Sequence, residues 1–388
     1  MEELKKGYKK TKIGVIPEDW EVKRLGEVGK IKMCKRVFKQ QTLSNGEIPF
    51  FKIGTFGNKK ADAFITRSLY VEYKSKYPYP KRGDILISAS GTIGRKVIYN
   101  NEEAYFQDSN IVWIDNKEKI ILNKFLYYIY DIINWNKYIE NTTIARLYNN
   151  NLRNIPVPLP PLKEQEKIAR ILLTWDKAIA TQEKLVKEKE KLKTTLMQKL
   201  LSRKVRFKEF SEEWKEVRLG NICKFQKGTS FSMKDLIKGN IPVIAGGKEP
   251  AYFHNKSNRK GNVITVSSSG ANAGFINFWE KEIFASDSFT IEGKKDIAYT
   301  KYIFFYLKNI QNKIYSFQSG GAQSHIYPKD LQILKIILPP LKEQQKIAKV
   351  LSTADKEIEL LKNELKELKK QKKALMQKLL TGKVRVKV

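Results

Sequence analysis

The chain has 388 residues, of which 74 are Lys or Arg and 41 are Asp or Glu, giving a formal net charge of +33. Hydrophobic residues make up 41% of the sequence, which indicates folded domains and excludes a disordered basic tail. An excess of positive charge this large indicates a polyanionic partner, with nucleic acid the first candidate and an anionic membrane surface the second. The sequence has no apolar run long enough to cross a membrane, and its polar N-terminus predicts no secretion signal.

The two cysteines indicate the redox environment in which the protein is expected. Cys34 and Cys223 lie at unmatched positions, and two cysteines fit neither a disulfide framework nor a zinc site. We therefore expect a reducing cytoplasm.

In chain order, the sequence begins with a globular unit that we assign to residues 1–158. Short runs bounded by Gly, Asn and Ser, such as ILIS and VIYN, predict strands. The apolar segment 125–135, and 301–311 later in the chain, predict buried helices that follow the strands. These elements predict an α+β domain with a small, twisted and mainly antiparallel sheet.

A long helix is predicted within residues 159–208, which we assign to a first spacer segment. Its opening Pro160-Pro161 fixes an extended lead-in and sits naturally just before a helix. Apolar residues then recur with alternating steps of four and three, which is the heptad pattern of a helix that packs along another. The predicted interface residues of this helix are Ile168, Leu172, Trp175, Ile179, Val186, Leu196 and Leu200.

A second globular unit, assigned to residues 209–337, repeats the first in a looser form. Its opening EFSEEWKEVRLGNI aligns with GVIPEDWEVKRLGEV, which pairs Trp214 with Trp20. GNVITVSSSGANAG aligns with GDILISASGTIG at 83–94, and SHIYPKDLQILKIILP aligns with ARLYNNNLRNIPVPLP at 145–160. The two units diverge almost completely between these anchors, so one scaffold carries two different sets of loops.

A second long helix is predicted within residues 338–388, because 338–387 repeats 159–208 without a gap and with 29 of 50 positions identical. The link between the first helix and the second unit reaches about 40 Å when extended, which is shorter than the roughly 60 Å expected of each helix. The helices are therefore predicted to run antiparallel, with one globular unit at each end and an approximate two-fold axis. The predicted interface residues of the second helix are Ile347, Leu351, Ile358, Leu361, Leu365, Leu368, Leu375 and Leu379.

The sequence contains no catalytic constellation. His254 and His325 have no counterparts in the first unit, and no phosphate-binding glycine loop follows a strand. The repeated Ser-x-Ser-Gly segments have no paired general base, so they do not predict a serine nucleophile. Asp108 and Asp287 recur as single carboxylates, which are more often structural acceptors than catalysts. We therefore predict a non-catalytic chain with no cofactor site and no metal site.

Two kinds of segment are candidates for DNA binding. The Ser/Gly turns offer N–H groups and hydroxyls to phosphate oxygens, with an ordinary strand-to-turn corner as the alternative. Basic, amide-rich loops suit base edges, since Arg can bridge guanine and Asn or Gln can bridge adenine; the alternative is a solvated loop. The predicted DNA-binding residues are Lys35, Arg36, Gln40, Ser88, Ser90, Gly91, Thr92, Arg95, Lys96, Arg146, Tyr148, Asn149, Asn150, Lys227, Ser230, Lys234, Ser267, Ser269, Gly270, Asn272, Gln323, Ser324, His325 and Tyr327.

Four motifs occur in a fixed order along the chain. They are GVIPEDW…RLG, the SASG and SSSG segments, the two LPPLKEQ openings, and LMQKLL…KVR at the end of each helix. In this combination the chain resembles the specificity subunits of type I restriction–modification enzymes over essentially its whole length.

The resemblance implies two target recognition domains, each of which reads one part of a bipartite DNA sequence. It implies docking of two DNA adenine methyltransferase subunits and, through them, of ATP-driven restriction subunits. S-adenosylmethionine, ATP and Mg²⁺ would then belong to those partners, in a prokaryotic, nucleoid-associated cytoplasmic complex. We expect methyltransferase docking on the exposed flanks of the helix pair, which include Lys163-Glu164-Gln165 and Lys342-Glu343-Gln344, with helix capping as the alternative reading.

The helices would act as a ruler that limits the separation of the two half-sites to roughly 18 base pairs at 3.4 Å per pair. A basic coiled-coil scaffold that binds nucleic acid without reading its sequence is the alternative function. Divergent loops on a shared scaffold favour the specificity subunit, because non-specific binding needs no such divergence. An enzyme acting on DNA is a further alternative, which the missing cofactor and metal motifs disfavour.

Overall fold

The computed structural model describes residues 6–58, 60–139, 145–320 and 323–387. The first residues of the first predicted domain and the last residue of the second helix segment lie outside the described residues. The chain divides into two compact units: unit 1 comprises residues 1–181 with 365–388, and unit 2 comprises residues 182–364.

The elements of the first half of the chain are short strands and helices followed by one long helix. The strands are β1 (Tyr8–Thr11), β2 (Gly14–Pro17), β3 (Glu21–Arg24), β4 (Lys30–Lys32), β5 (Ile48–Phe51), β6 (Phe64–Ile65), β7 (Ile85–Ser88), β8 (Lys96–Ile98), β9 (Tyr105–Phe106), β10 (Ile111–Asp115) and β11 (Pro156–Leu159). The helices are α1 (Leu25–Val28), α2 (Arg67–Lys76), α3 (Asn123–Ile132), α4 (Asn149–Arg153) and α5 (Leu162–Leu201).

The second half of the chain follows the same plan. Its strands are β12 (Lys215–Arg218), β13 (Cys223–Lys227), β14 (Lys238–Ile244), β15 (Tyr252–His254), β16 (Val263–Ser267), β17 (Ile276–Trp279), β18 (Phe284–Ala285), β19 (Ser288–Gly293) and β20 (Lys335–Leu338). Its helices are α6 (Leu219–Ile222), α7 (Thr300–Asn309), α8 (Gln311–Tyr315), α9 (Pro328–Gln332) and α10 (Leu341–Leu380).

The two units contain equivalent sheets. A four-stranded antiparallel sheet has the order β4-β10-β7-β8 in unit 1 and β13-β19-β16-β17 in unit 2. A three-stranded sheet has the order β6-β5-β9 in unit 1 and β15-β14-β18 in unit 2, and each contains one parallel pair. The entry strand of each unit pairs with the strand that leads into a long helix, as β3 with β11 and β12 with β20. The predicted α+β class with small, mainly antiparallel sheets is confirmed.

Strand β7 shows why the central sheet is apolar on both faces. Ile85 and Ile87 pack with residues of α3, whereas Leu86 packs in a separate cluster with Phe50 and Tyr105. Successive strand residues point to opposite faces, and a sheet covered on both faces needs apolar residues at every position. All of β16 is likewise buried in unit 2.

The predicted buried helices are present, but each ends earlier than predicted. Helix α3 ends at Ile132, after which the chain turns so that the Trp135 ring packs 5.9 Å from the Tyr130 ring. Helix α7 ends at Asn309, and α8 follows from Gln311. Apolar side chains continue past both helix ends because they fill the core from a turn, which an apolar run cannot distinguish from a longer helix.

Helices α5 and α10 are each 40 residues long and run antiparallel within each unit. In unit 1, Lys372 of α10 forms an ion pair with Asp176 of α5. In unit 2, Lys189 of α5 forms an ion pair with Glu357 of α10 at 2.6 Å. Every predicted interface residue of the two helices is buried or half-buried. Several of them, such as Ile168 in unit 1, also belong to the core of the globular part.

Candidate nucleic-acid interface

In unit 1 the structure brings predicted DNA-binding residues together beyond the end of β7. Ser90 forms an isolated bridge with Arg146, although the two residues are far apart in the sequence. The Arg146 guanidinium donates to Ser109 Oγ at 3.2 Å and lies 5.7 Å from the centre of the Tyr148 ring. Tyr148 remains 41% exposed. A cation and an aromatic ring are thus held side by side at this edge of the sheet.

The loop after β4 joins the same surface. Arg36 Nε donates to Asp108 Oδ2 at 2.9 Å, and Asp108 precedes Ser109 in the turn before β10. Lys35, Arg36 and Gln40 are all exposed. Arg36 and Arg146 are therefore both anchored to neighbouring residues of one turn.

Unit 2 repeats the arrangement with different side chains. Ser269 forms an isolated bridge with His325, and the His325 ring stacks on Tyr327 with ring centres 6.2 Å apart. Ser269 Oγ donates to a carboxylate oxygen of Asp287. Tyr327 is 44% exposed and lines an open cavity of about 400 Å³ together with Lys227, Pro328, Lys329 and Gln332.

Three of the predicted serines, Ser88, Ser90 and Ser267, support the turns from inside the protein. Ser88 and Ser267 are 1% and 3% exposed, and Ser90 is 7% exposed. Ser88 Oγ donates to the Thr92 carbonyl at 2.5 Å and accepts from the Arg95 N–H at 2.9 Å. The Ser88 and Ser267 side chains, which were predicted to bind DNA, are therefore buried and have a structural role, and the nearly buried Ser90 hydroxyl donates to Asn110 Oδ1.

Lys96 is also structural. Its ammonium forms an ion pair with Asp131 at 2.6 Å and lies 3.6 Å from the centre of the Tyr127 ring. Burial lowers the pKa of Lys96, although Asp131 acts in the opposite direction. Lys96, which was predicted to bind DNA, therefore already has a charge partner and an aromatic partner within unit 1.

The other predicted residues lie at exposed or half-buried positions, in turns and loops or, for Asn149 and Asn150, in the first turn of α4. Gly91 and Gly270 have positive φ angles of 62° and 78°, a conformation that favours glycine and explains the Ser-Gly sequence of both turns. The exposed and half-buried set comprises Gly91, Thr92, Arg95, Asn149, Asn150, Ser230, Lys234, Gly270, Asn272, Gln323 and Ser324.

The LPPLKEQ segment of unit 1 contains a buried carboxylate that the sequence placed on an exposed flank. Glu164 is 0% exposed. Its Oε2 accepts a hydrogen bond from Trp20 Nε1 at 3.0 Å, and Arg385 donates to both carboxylate oxygens at 2.8 Å. Arg385 also forms two hydrogen bonds with Asp19.

Unit 2 uses the equivalent residues in the same way. Glu343 is 0% exposed, accepts from Trp214 Nε1 at 3.0 Å, and is paired with Arg206. The paired carboxylate raises the pKa of Arg206. The prediction that these glutamates lie on exposed flanks was therefore wrong. Each carboxylate accepts hydrogen bonds from a Trp indole and an Arg guanidinium that are far away in the sequence, and these contacts bury it.

The glutamine of each LPPLKEQ segment is buried for a different reason. Gln165 Oε1 accepts from the Leu122 N–H at 2.9 Å, and its Nε2 donates to the carbonyls of Ile120 and Pro160. Gln344 makes the same three kinds of bond in unit 2. These amides join each long helix to the globular part of its unit, and only Lys163 and Lys342 of the predicted flanks are exposed.

Within the part of the chain that the structure describes, no group of three or more His, Cys, Asp or Glu side chains is arranged to hold a metal ion. Cys34 and Cys223 are free, buried thiols. No helix among the described residues has the length and apolar character needed to span a membrane.

Comparison with known proteins gives consistent matches. The sequence model of the family described as type I restriction modification DNA specificity domain matches residues 17–191 and 211–370. A putative type I restriction enzyme MjaX specificity subunit from Methanocaldococcus jannaschii is 32% identical, over 98% of this chain and 97% of its own length. A putative type I restriction enzyme specificity subunit from Haemophilus influenzae is 58% identical over 165 residues, so that the match spans 42% of that relative and 42% of this chain.

Solved structures share the fold at low sequence identity. The type I restriction–modification S subunit from M. genitalium has a TM-score of 0.65 at 20% identity, covering 93% of this chain and 96% of that chain. A chain from a study of complex assembly and conformational transition of the type I R-M system has a TM-score of 0.60 at 19% identity, covering 95% of this chain and 99% of that chain.

Proposed function

We propose that this chain, which belongs to the specificity subunits of type I restriction–modification enzymes, reads a two-part DNA sequence with one half-site for each unit. Its family role is DNA recognition, and the resemblance inferred from the motifs is confirmed. The two units divide that role between them, one half-site each. Its main support is the Ser–Arg–Tyr cluster of unit 1, which recurs in unit 2 as a Ser–His–Tyr cluster.

The difference between the two clusters suits two different half-sites. Arg146 can donate two hydrogen bonds to O6 and N7 of one guanine, whereas His325 offers one ring nitrogen at a time. Tyr148 and Tyr327 keep the same exposed position beside them. A shared backbone frame with a different polar group at one position reads a different base without a change of fold.

Cationic side chains around each cluster supply sequence-independent contacts. In unit 1, Lys35 and Arg36 are exposed on the loop after β4, and Arg95 is exposed on the turn between β7 and β8. In unit 2, Lys227 lines the Tyr327 cavity, and Lys234 is exposed on the loop that follows β13. Contacts with phosphates position the protein on the duplex, and the bridge residues then specify bases.

We further propose that two DNA adenine methyltransferase subunits dock on this chain and that restriction subunits assemble through them. Two partners are suggested by the two LPPLKEQ segments, which make the same internal bonds and each leave one exposed lysine, Lys163 or Lys342. S-adenosylmethionine, ATP and Mg²⁺ then act on those partners, and this chain remains non-catalytic.

The test is base-resolution mapping of N6-methyladenine in DNA from cells that express the chain with its methyltransferase partner. We expect a two-part motif with a fixed gap. Replacing residues 20–158 with the aligned segment of a relative should change one half of the motif only, because each unit carries its own cluster.

Single-residue variants test the contribution of each cluster separately. Arg146→Ala should relax one base in one half-site, a loss of about 1–3 kcal/mol of discrimination, and His325→Ala should relax a base in the other half. Lys76→Ala, at an exposed position of α2 outside both clusters and outside the LPPLKEQ segments, is the matched control and should leave the motif unchanged. A change in both halves after one segment exchange, or methylation with no motif, would favour the non-specific scaffold instead.

A further inference from the structure

The loop between β4 and β5 holds a large apolar side chain in solvent. Phe38 is 51% exposed, whereas its neighbour Val37 packs against the core of unit 1. The Phe38 N–H donates to Gln41 Oε1 at 2.8 Å, and its carbonyl accepts from the Gln41 N–H at 2.9 Å. Gln41 Nε2 also donates to Tyr73 OH at 3.2 Å. The 3₁₀ turn at Lys39–Gln41 therefore presents the Phe38 ring on a fixed frame.

Cationic side chains flank this ring. Lys35, Arg36 and Lys39 are exposed on the same loop. Lys35 is oriented by Tyr77, whose ring centre lies 4.9 Å from the ammonium. Arg36 is joined through Asp108 to the turn that also holds Arg146. An apolar ring with a cationic border, continuous with the base-reading cluster, complements a stack of bases bordered by phosphates.

Unit 2 has an equivalent loop with a different apolar residue. The loop after β13 contains a 3₁₀ turn at Met233–Asp235, and Met233 is 57% exposed. Ser232 Oγ accepts from the Lys234 N–H at 3.3 Å, which stabilises the turn. Phe231, two residues before Met233, packs among aromatic side chains, so an inward residue again lies shortly before an outward one. The same feature in two loops of unrelated sequence indicates a role for the exposed apolar group.

We propose that Phe38 inserts between two base pairs of the half-site read by unit 1, and that Met233 does so in the half-site read by unit 2. This inference rests on the proposed function and adds an apolar contact to the polar ones. An apolar wedge partly unstacks one base step and bends the duplex, which brings more phosphates to the basic surface. An opened step also makes it easier to extrude an adjacent adenine, as chemistry on a base requires.

The experiment uses the full chain with its methyltransferase subunits and a duplex that carries the mapped motif. 2-Aminopurine is placed at successive positions of each half-site, and its fluorescence reports unstacking. The wild-type complex should show a fluorescence increase at one step of the unit 1 half-site. Phe38→Ala should lose most of that increase and bind the duplex about tenfold more weakly, because the step is no longer held open.

Two controls separate a wedge from a simple contact. A duplex with a mismatch at the affected step is already partly unstacked, so it should restore Phe38→Ala binding to within about twofold of wild type. Val71→Ala removes a side chain that is 58% exposed on α2 of the same unit. That variant should leave both fluorescence and affinity unchanged.

Other results of the same experiment would contradict the insertion of Phe38. An unchanged fluorescence increase in Phe38→Ala would exclude the wedge and leave the recognition function intact. Weaker binding that the mismatch does not rescue would make Phe38 an ordinary contact and would also overturn the inference. A wild-type complex that binds the motif no better than a random duplex would contradict the proposed function itself.

Discussion

At the scale of single residues, the two thiols show how burial controls reactivity. Burial raises the pKa of Cys34 to about 12 and that of Cys223 to about 12. The thiolate is the reactive form of cysteine, so at pH 8 very little of either side chain can react while the chain is folded. We expect iodoacetamide to leave both cysteines unmodified at pH 8 and to modify both in urea, as measured by intact-protein mass spectrometry. Rapid modification of either residue in the folded chain would contradict this assignment.

The same pKa shifts give the sign of the pH dependence. Above about pH 8.5 the unfolded chain releases thiol protons that the folded chain retains. The contribution of Cys34 and Cys223 to stability is therefore fully present below that pH and is lost as the pH rises toward 12. Replacement of both cysteines by alanine should flatten the decline of unfolding free energy across this window.

The buried position of Glu164 was not predicted from the sequence. A glutamate in the first turn of a helix is normally solvated, and the segment was predicted to lie on an exposed flank of the helix pair. Its indole and guanidinium partners lie 144 and 221 positions away, so no local pattern reveals them. A signal was nevertheless present, because Trp20, Glu164 and Arg385 recur together as Trp214, Glu343 and Arg206. Three residue types repeated at equivalent places indicate a shared contact.

At the scale of elements, the helix pair contains charged positions within its apolar seam. Lys372 pairs with Asp176, and its ammonium lies 5.4 Å from the centre of the Tyr128 ring. Lys193 and Asp355 form the equivalent pair in unit 2. A polar residue at a core position of paired helices fixes their register at some cost in stability. We infer that each pair selects one alignment of α5 and α10 within its unit.

A charge exchange tests this role in unit 1. Lys372→Asp should lower the free energy of unfolding by about 1–3 kcal/mol, because it places two carboxylates together in a partly buried seam. Asp176→Lys should cost a similar amount, and the double variant should recover most of the loss. Lys373→Asp, at the exposed neighbouring position, should change stability by less than about 0.5 kcal/mol. Urea unfolding measures all four, and losses that simply add in the double variant would rule out the pairing.

The elements themselves were predictable where their signal is local. The heptad pattern and the Pro-Pro lead-in placed α5 and α10 within the predicted segments, and apolar runs between glycines located β7 and β16. The strand order of the sheets was not predictable, because β4 pairs with β10 across more than 70 residues of chain. Arg146 and Tyr148, which the structure brings together beyond β7, were both among the predicted DNA-binding residues. Phe38 was not among them, because the sequence alone does not show whether an apolar residue is exposed.

At the scale of the whole molecule, the net charge of +33 is the dominant feature. Exposed ion pairs on the surface contribute little energy individually, so the excess charge acts mainly as a field that attracts a polyanion. We expect affinity for both motif and random duplexes to fall at least about 10³-fold between 50 and 200 mM salt, because each neutralised phosphate releases counterions. Fluorescence anisotropy across a salt series measures this slope, and a nearly flat response would contradict an electrostatic footprint.

The two classes of contact should separate in the same salt series. Phosphate contacts are common to motif and random duplexes. Lys35→Ala should therefore reduce the slope of log affinity against log salt concentration by about one, and it should leave the preference for the motif unchanged. Arg146 is held by Ser109 beside Tyr148 in the recognition cluster, so Arg146→Ala should reduce the ratio of motif to random affinity far more than Lys35→Ala does. If both variants altered slope and preference to the same degree, the basic loop and the bridge residues would form one undivided surface. Distinct responses would mean that the fold supplies the attraction to DNA through its charge and the choice of sequence through two small clusters.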